Sequence, residues 1–177
     1  MDIKRLTRIA IAAVLIAVCS WITVPSVVPF TMQTFAVFCA VLIMGGKDGT
    51  IAIGIYMLLG IVGLPVFSGF RGGIGHLLGP TGGYIVGFIF TGLSYMAFEP
   101  LMEKKKFVKY AVLVLGLILC YAVGTLWFGV VMSRKGTNYG LWKILTLCVI
   151  PYIIPDLVKM VLAIVISGRV KKLIQRL

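Results

Sequence analysis

Asp156 and Lys159 are the only charged residues well inside an apolar run of this 177-residue sequence. Spaced i and i+3, they share one helix face and reach each other. A charge held at bilayer depth costs at least ~2.5–3.5 kcal/mol on insertion scales. The pair must therefore neutralise itself, serve a ligand, or do both. A carboxylate accepts from N–H donors, and an ammonium donates to a carbonyl or a carboxylate, which suits a small polar molecule bound within apolar surroundings. A purely structural pair is the plainer reading, but Ser or Thr would supply a structural polar contact at lower cost. Pro155 stands directly before Asp156. If it opens the helix, Asp156 occupies the first turn, where the helix dipole favours a carboxylate.

The second cluster is glycine-rich: Ser68 to His76 holds Gly69, Gly72, Gly73 and Gly75 beside Arg71, and Leu77 to Tyr84 holds Gly79, Gly82 and Gly83. Glycine lets backbone approach a ligand closely and leaves N–H groups open at a helix start. With Arg71 nearby, these groups offer a second anion site. Gly79, Gly83 and Gly87 also form a small-xxx-small stripe, and helix packing explains it equally well. Gly73-x-Gly75 lacks the strand and later spacing of a dinucleotide fingerprint. His76 is the only histidine, and one imidazole makes no metal site. Ala10, Ala13 and Ala17 align on one helix face, either as internal packing or as a docking surface for another membrane helix.

The elements that must position these residues follow from composition. The chain is 60% hydrophobic and 12% charged, with mean hydropathy +1.10; a soluble domain is about 45–50% apolar and about 25% charged. Too few charges exist to cover a water-facing globule, and disordered, coiled-coil and disulfide-scaffold classes fail on the same grounds. Cys19, Cys39, Cys120 and Cys148 are far apart in apolar runs, as packed thiols are. An all-α membrane protein remains, and six continuous apolar stretches predict six transmembrane helices over 1–177 as a single integral-membrane domain. They run from Thr7 to Val24, Thr31 to Gly45, Gly49 to Val62, Thr81 to Phe98, Tyr110 to Met132 and Leu141 to Ser167. The second and third are short, and the sixth exceeds a bilayer core, with Pro151 and Pro155 able to break it. Lys4, Arg5 and Arg8 precede the first stretch as in a signal peptide, but no clean cleavage site follows, so a retained span is expected.

Charge sets the orientation. With the N-terminus inside, twelve Lys and Arg fall on the inner side, among them Lys104, Lys105, Lys106 and Arg176. Only Arg71, Arg134, Lys135 and Lys143 fall outside. This bias places both termini in the cytoplasm.

Thr7-Arg8-Ile9-Ala10 with its alanine face, Pro29-Phe30-Thr31-Met32-Gln33-Thr34-Phe35, Gly63-Leu64-Pro65-Val66-Phe67, Leu78-Gly79-Pro80-Thr81-Gly82-Gly83-Tyr84 and Asp156-x-x-Lys159 together resemble BioY, the biotin-specific S component of energy-coupling factor (ECF) transporters. The resemblance covers nearly the whole chain in order. It implies a multi-pass protein of a prokaryotic cell membrane that binds biotin with high affinity, without a cofactor and without catalysis of its own. It also implies a T protein and two ATPases as partners, with Ala10, Ala13 and Ala17 against the T protein and the first outer loop as a lid. The substrate residues expected are Asp156, Lys159, Arg71, Gly72, Gly73, Gly82, Gly83, Tyr84 and Gln33.

Other classes fit less well. An intramembrane serine protease needs a membrane histidine, and an aspartyl one needs two membrane carboxylates. A secondary transporter could use Asp156 as its proton site, but the halves show no evident repeat. Gly46-Lys47-Asp48 lacks the rest of a Walker A motif, so ATP coupling must come from partners. A binding module for another vitamin is the remaining alternative.

Overall fold

The computed structural model describes residues 2–104 and 107–174; Lys105, Lys106 and Arg176 lie outside the described residues, as does the side chain of Lys104. The elements in chain order are α1 (Ile3–Trp21), β1 (Thr23–Val24), β2 (Phe30–Thr31), α2 (Gln33–Met44), α3 (Gly46–Val62), α4 (Ile74–Leu77), α5 (Gly82–Lys104), α6 (Val108–Arg134), α7 (Leu141–Cys148) and α8 (Ile150–Ile174). Three segments are long and apolar enough to cross a membrane: Gly82–Met102, Val108–Arg134 and Leu141–Leu173.

α2 lies at the centre, against α1, α3, α5 and α8. Its 12 residues span only ~18 Å at ~1.5 Å each. Apolar on every side, it gains by being surrounded, and Ala36, Val37, Phe38, Val41 and Leu42 are fully buried. α8 shows the same logic reversed. Asp156, Lys159, Ala163 and Ser167 point inward, while Ile154, Val158, Val161 and Val165 are exposed. Polar residues inside and apolar residues outside suit a helix solvated by hydrocarbon, not water.

The sixth stretch divides. The break falls at Val149 (φ −126°, ψ −59°), which ends α7; α8 starts at Ile150 and runs through Pro155. Pro155 does not open the helix, and Asp156 sits in the second turn. Pro151 takes the first-turn position, where a missing N–H costs nothing.

The Gly83 and Gly87 positions of the glycine stripe are used for packing. A Cβ at Gly83 would lie 2.2 Å from Trp127 Cβ, and one at Gly87 2.8 Å from Cys120 Sγ. α6 answers with Gly124, where a Cβ would fall 2.2 Å from the Tyr84 ring. Glycine on both helices brings α5 and α6 into close contact.

The two ends of the bundle differ. At one, Arg5 Nε donates to both Asp48 oxygens at 2.9 and 3.0 Å, tying α1 to α3, and Glu99 of α5 accepts from Gly46 N at the start of α3, where a carboxylate complements the helix dipole. At the other, β1 and β2 pair antiparallel, Thr23 against Thr31, beside the glycine loop. Residues 25–29, with proline at both ends, form the turn of this hairpin.

Candidate functional site

α8 carries the acid and the base, and two other elements, β2 and α6, supply their partners. Lys159 Nζ donates to Asp156 Oδ1 at 2.8 Å and to the Thr31 carbonyl of β2 at 2.6 Å. Tyr121 of α6 donates its hydroxyl to Asp156 Oδ2 at 2.6 Å. The Phe30 ring lies 3.8 Å from Lys159 Nζ, close enough for its π face to offset part of the ammonium charge. Asp156 is 5% exposed and Lys159 4%, so each needs its partner. Each Asp156 oxygen keeps a lone pair to accept a further N–H.

A cavity of about 60 Å³ abuts this pair, walled by Gln33, Tyr84, Phe88, Leu117 and Tyr152 as well. It has room for a few water molecules and none for a bicyclic ligand. Gln33 is held by donation from Nε2 to the Tyr56 hydroxyl and by Thr31 Oγ1, which donates to its Oε1 at 3.0 Å. Val28 and Pro29 of the hairpin turn close the cavity from above. Their loop is latched from below by Tyr152, whose hydroxyl donates to the Val28 carbonyl.

Above the turn is a separate, wider cleft of about 780 Å³, lined by Arg71, Gly72, His76, Pro80 and Lys135. Arg71 and Gly72 thus stand apart from Asp156 and Lys159, while Gln33 and Tyr84 stand with them. Burial, with Arg71 nearby, holds His76 below the ordinary imidazole range, and its ring stacks on Phe67 at 5.3 Å.

The remaining glycines serve the chain's own backbone. The N–H groups of Gly73, Gly79 and Gly82 donate to the carbonyls of Gly60, His76 and Gly79, so they do not form an open anion cradle. A Cβ at Gly82 would fall 1.5 Å from the Leu77 carbonyl oxygen. Gly82→Ala is therefore expected to lower stability by about 1–3 kcal/mol, the range for forced overpacking, with or without ligand. A thermal-unfolding midpoint equal to wild type would show that the turn can yield.

The alanine strip is not one outward face. Ala13 and Ala17 are 1% and 5% exposed and belong to the core, and only Ala10 faces outward. A period of 3.6 puts Ala13 and Ala17 beside Ile9 and Ile16, also buried, so their small size serves packing against α2 and α3.

Tyr121, Phe30 and Tyr152 are site residues that spacing did not reveal. Tyr121 carried a signal: a hydroxyl amid an apolar span needs a partner, and few polar side chains were available to it.

A profile of the BioY family matches residues 1–176. Among curated proteins, the "Biotin transporter BioY" of Thermotoga maritima is 40% identical over 175 residues, covering 96% of this chain and 97% of that one. The "Probable biotin transporter BioY" of Pyrococcus horikoshii is 38% identical, covering 97% and 98%. Among solved structures, the 2.1 Å crystal structure of the S-component for biotin from an ECF-type ABC transporter superposes with TM-score 0.83 at 28% identity, covering 96% of this chain and 92% of that one. A full-length profile match, whole-length relatives and a shared fold agree, and the chain belongs to the BioY family.

Proposed function

We propose that this chain is the biotin-binding S component of an ECF transporter, and that Asp156 and Lys159 read the ligand's polar groups. The observation that carries this reading is the enclosed ion pair facing a cavity closed by the Val28–Pro29 turn. Biotin presents two ureido N–H donors, a ureido carbonyl, an apolar bicycle and a carboxylate. Asp156 is suited to accept from a ureido N–H. Lys159 gives up the Thr31 carbonyl to serve the ligand's carbonyl or carboxylate. Gln33, Tyr84 and Phe88 offer the polar edge and apolar wall around the bicycle.

The cavity is too small for that ligand as it stands, so the turn bearing Val28 and Pro29 must swing outward. Asp156 acting alone as a proton carrier is the weaker reading, because Lys159 and Tyr121 already engage both its oxygens.

The membrane arrangement is part of the proposal: one unit over 1–177, six spans with α7 and α8 sharing the sixth, both termini cytoplasmic, in a prokaryotic cell membrane. The clustering of Arg5, Lys47 and Lys109 toward one end supports it through the positive-inside bias. A transmembrane T protein and two ATPases would supply the coupling that this sequence lacks.

The test is binding of labelled biotin by the purified chain, then uptake in vesicles with and without the ATPase module. Saturable binding, unchallenged by other vitamins, and uptake that needs ATP are expected. Preference for another vitamin would replace the substrate, and ATP-independent uptake at full rate would replace the mechanism.

A further inference from the structure

The pair on α8 does not line the outer cleft. The outer cleft has about thirteen times the volume of the buried cavity, 780 against 60 Å³, and two cations, Arg71 and Lys135, line it. The charge at this end is one-sided. The chain has five Asp and Glu. Asp2 caps α1 and Asp48 sits in the first turn of α3. Glu99 and Glu103 fall near the end of α5, and Asp156 is enclosed with Lys159. No carboxylate side chain among the described residues lines the cleft, although Arg71, Arg134, Lys135 and Lys143 all lie at its end of the molecule.

Orientation rules do not account for these cations, since positive-inside patterning removes basic residues from this side. The dipole at the end of α6 favours Arg134 and Lys135 but has no bearing on Arg71, which projects from a loop. The cleft also leads somewhere. A space of about 30 Å³ shares Ser68 and Thr81 with the cleft and Gln33 and Tyr84 with the buried cavity. Pro29 borders all three. His76, at the cleft wall, buries its Nε2 without a hydrogen-bond partner among the described residues.

We infer that the cleft is an encounter site, in which Arg71 and Lys135 capture the carboxylate of the substrate before it passes Val28 and Pro29 to reach Asp156 and Lys159. This rests on the proposed biotin reading and adds a step to it. The ligand class is a small monoanionic carboxylate with an apolar body. A field of unopposed cations at the mouth of a low-dielectric cleft raises association rates by about 10–10³-fold. The effect reaches ~30 Å at about 0.01 M salt and only ~3 Å at about 1 M. Arg71 and Lys135 therefore act on arrival, and the α8 pair acts on retention.

The test is stopped-flow association of the full chain in detergent with biotin and with its uncharged amide, for wild type and for Arg71→Gln/Lys135→Gln. For biotin at about 0.01 M salt, the double variant should associate about 3–10-fold more slowly, and this deficit should vanish near 1 M. The amide should bind both proteins at one salt-independent rate. An unchanged biotin rate in the double variant, or an equal fall for biotin and amide, would overturn the encounter site. Absence of saturable biotin binding to wild type at any salt would instead overturn the substrate reading itself, and the encounter site with it.

Discussion

Asp156→Ala is expected to cost about 3–5 kcal/mol of folding stability, the range for stranding one partner of a buried ion pair, and to abolish biotin binding. The stability loss follows from Lys159, which is 4% exposed and would keep only the Thr31 carbonyl and the Phe30 ring as compensation. A fall in binding alone would leave structure and recognition entangled, so the informative protein is Asp156→Leu/Lys159→Met. Replacing a buried pair by apolar groups of similar volume is often neutral or stabilising. The Tyr121 hydroxyl then loses its acceptor, at about 1–3 kcal/mol. Thermal unfolding of the double variant in detergent should therefore fall between wild type and Asp156→Ala, while calorimetric titration detects no biotin binding. Wild-type affinity in the double variant would return the pair to a purely structural role. A wild-type midpoint for Asp156→Ala would show that the charge is not enclosed.

The α8 pair was legible because two strong constraints meet there. Helical period fixes which face residues 156 and 159 share, and the cost of a charge in hydrocarbon makes their presence informative. What lies across from them was not legible. The Thr31 carbonyl that Lys159 uses is 128 positions away, and a backbone acceptor leaves no mark on composition. The helix break was misplaced for a definite reason. Two prolines four apart each suggest a boundary, but Pro151 fits the first turn without loss, and Pro155 removes a single ladder bond that the packed helix tolerates.

Glycines were ambiguous in a different way. Close approach to a ligand and close approach to the chain's own backbone make the same steric demand. Only coordinates tell Gly82, against the Leu77 carbonyl, from a cradle. The hairpin β1–β2 and the short α4 fall between the apolar stretches and left no mark on hydropathy, and α2 illustrates what length conceals. A stretch too short for a bilayer reads as a defective span until its neighbours on every side are known.

Small residues on α1 pose the same ambiguity, and Ala13→Trp resolves it. Alanine at 10, 13 and 17 signals that something approaches the helix closely, without saying from which side. In the structure Ala13 is 1% exposed among Ile9, Ile16 and Ala17, so an indole there has no space. Overpacking a filled core costs typically about 1–3 kcal/mol and occasionally more, and a change of this size belongs at the upper end or beyond it. The isolated Ala13→Trp protein should lose its sharp thermal transition and its biotin binding together. Ala10→Trp is the matched control on the exposed side, beside Ile11 and Val14. It should fold and bind as wild type, and its ATP-driven uptake should fall if that face meets the T protein. Normal folding and binding by Ala13→Trp, with uptake alone blocked, would mean that α1 turns Ala13 outward. The docking strip would then run through all three alanines, and not through the ridge that Ala10 shares with Ile11 and Val14.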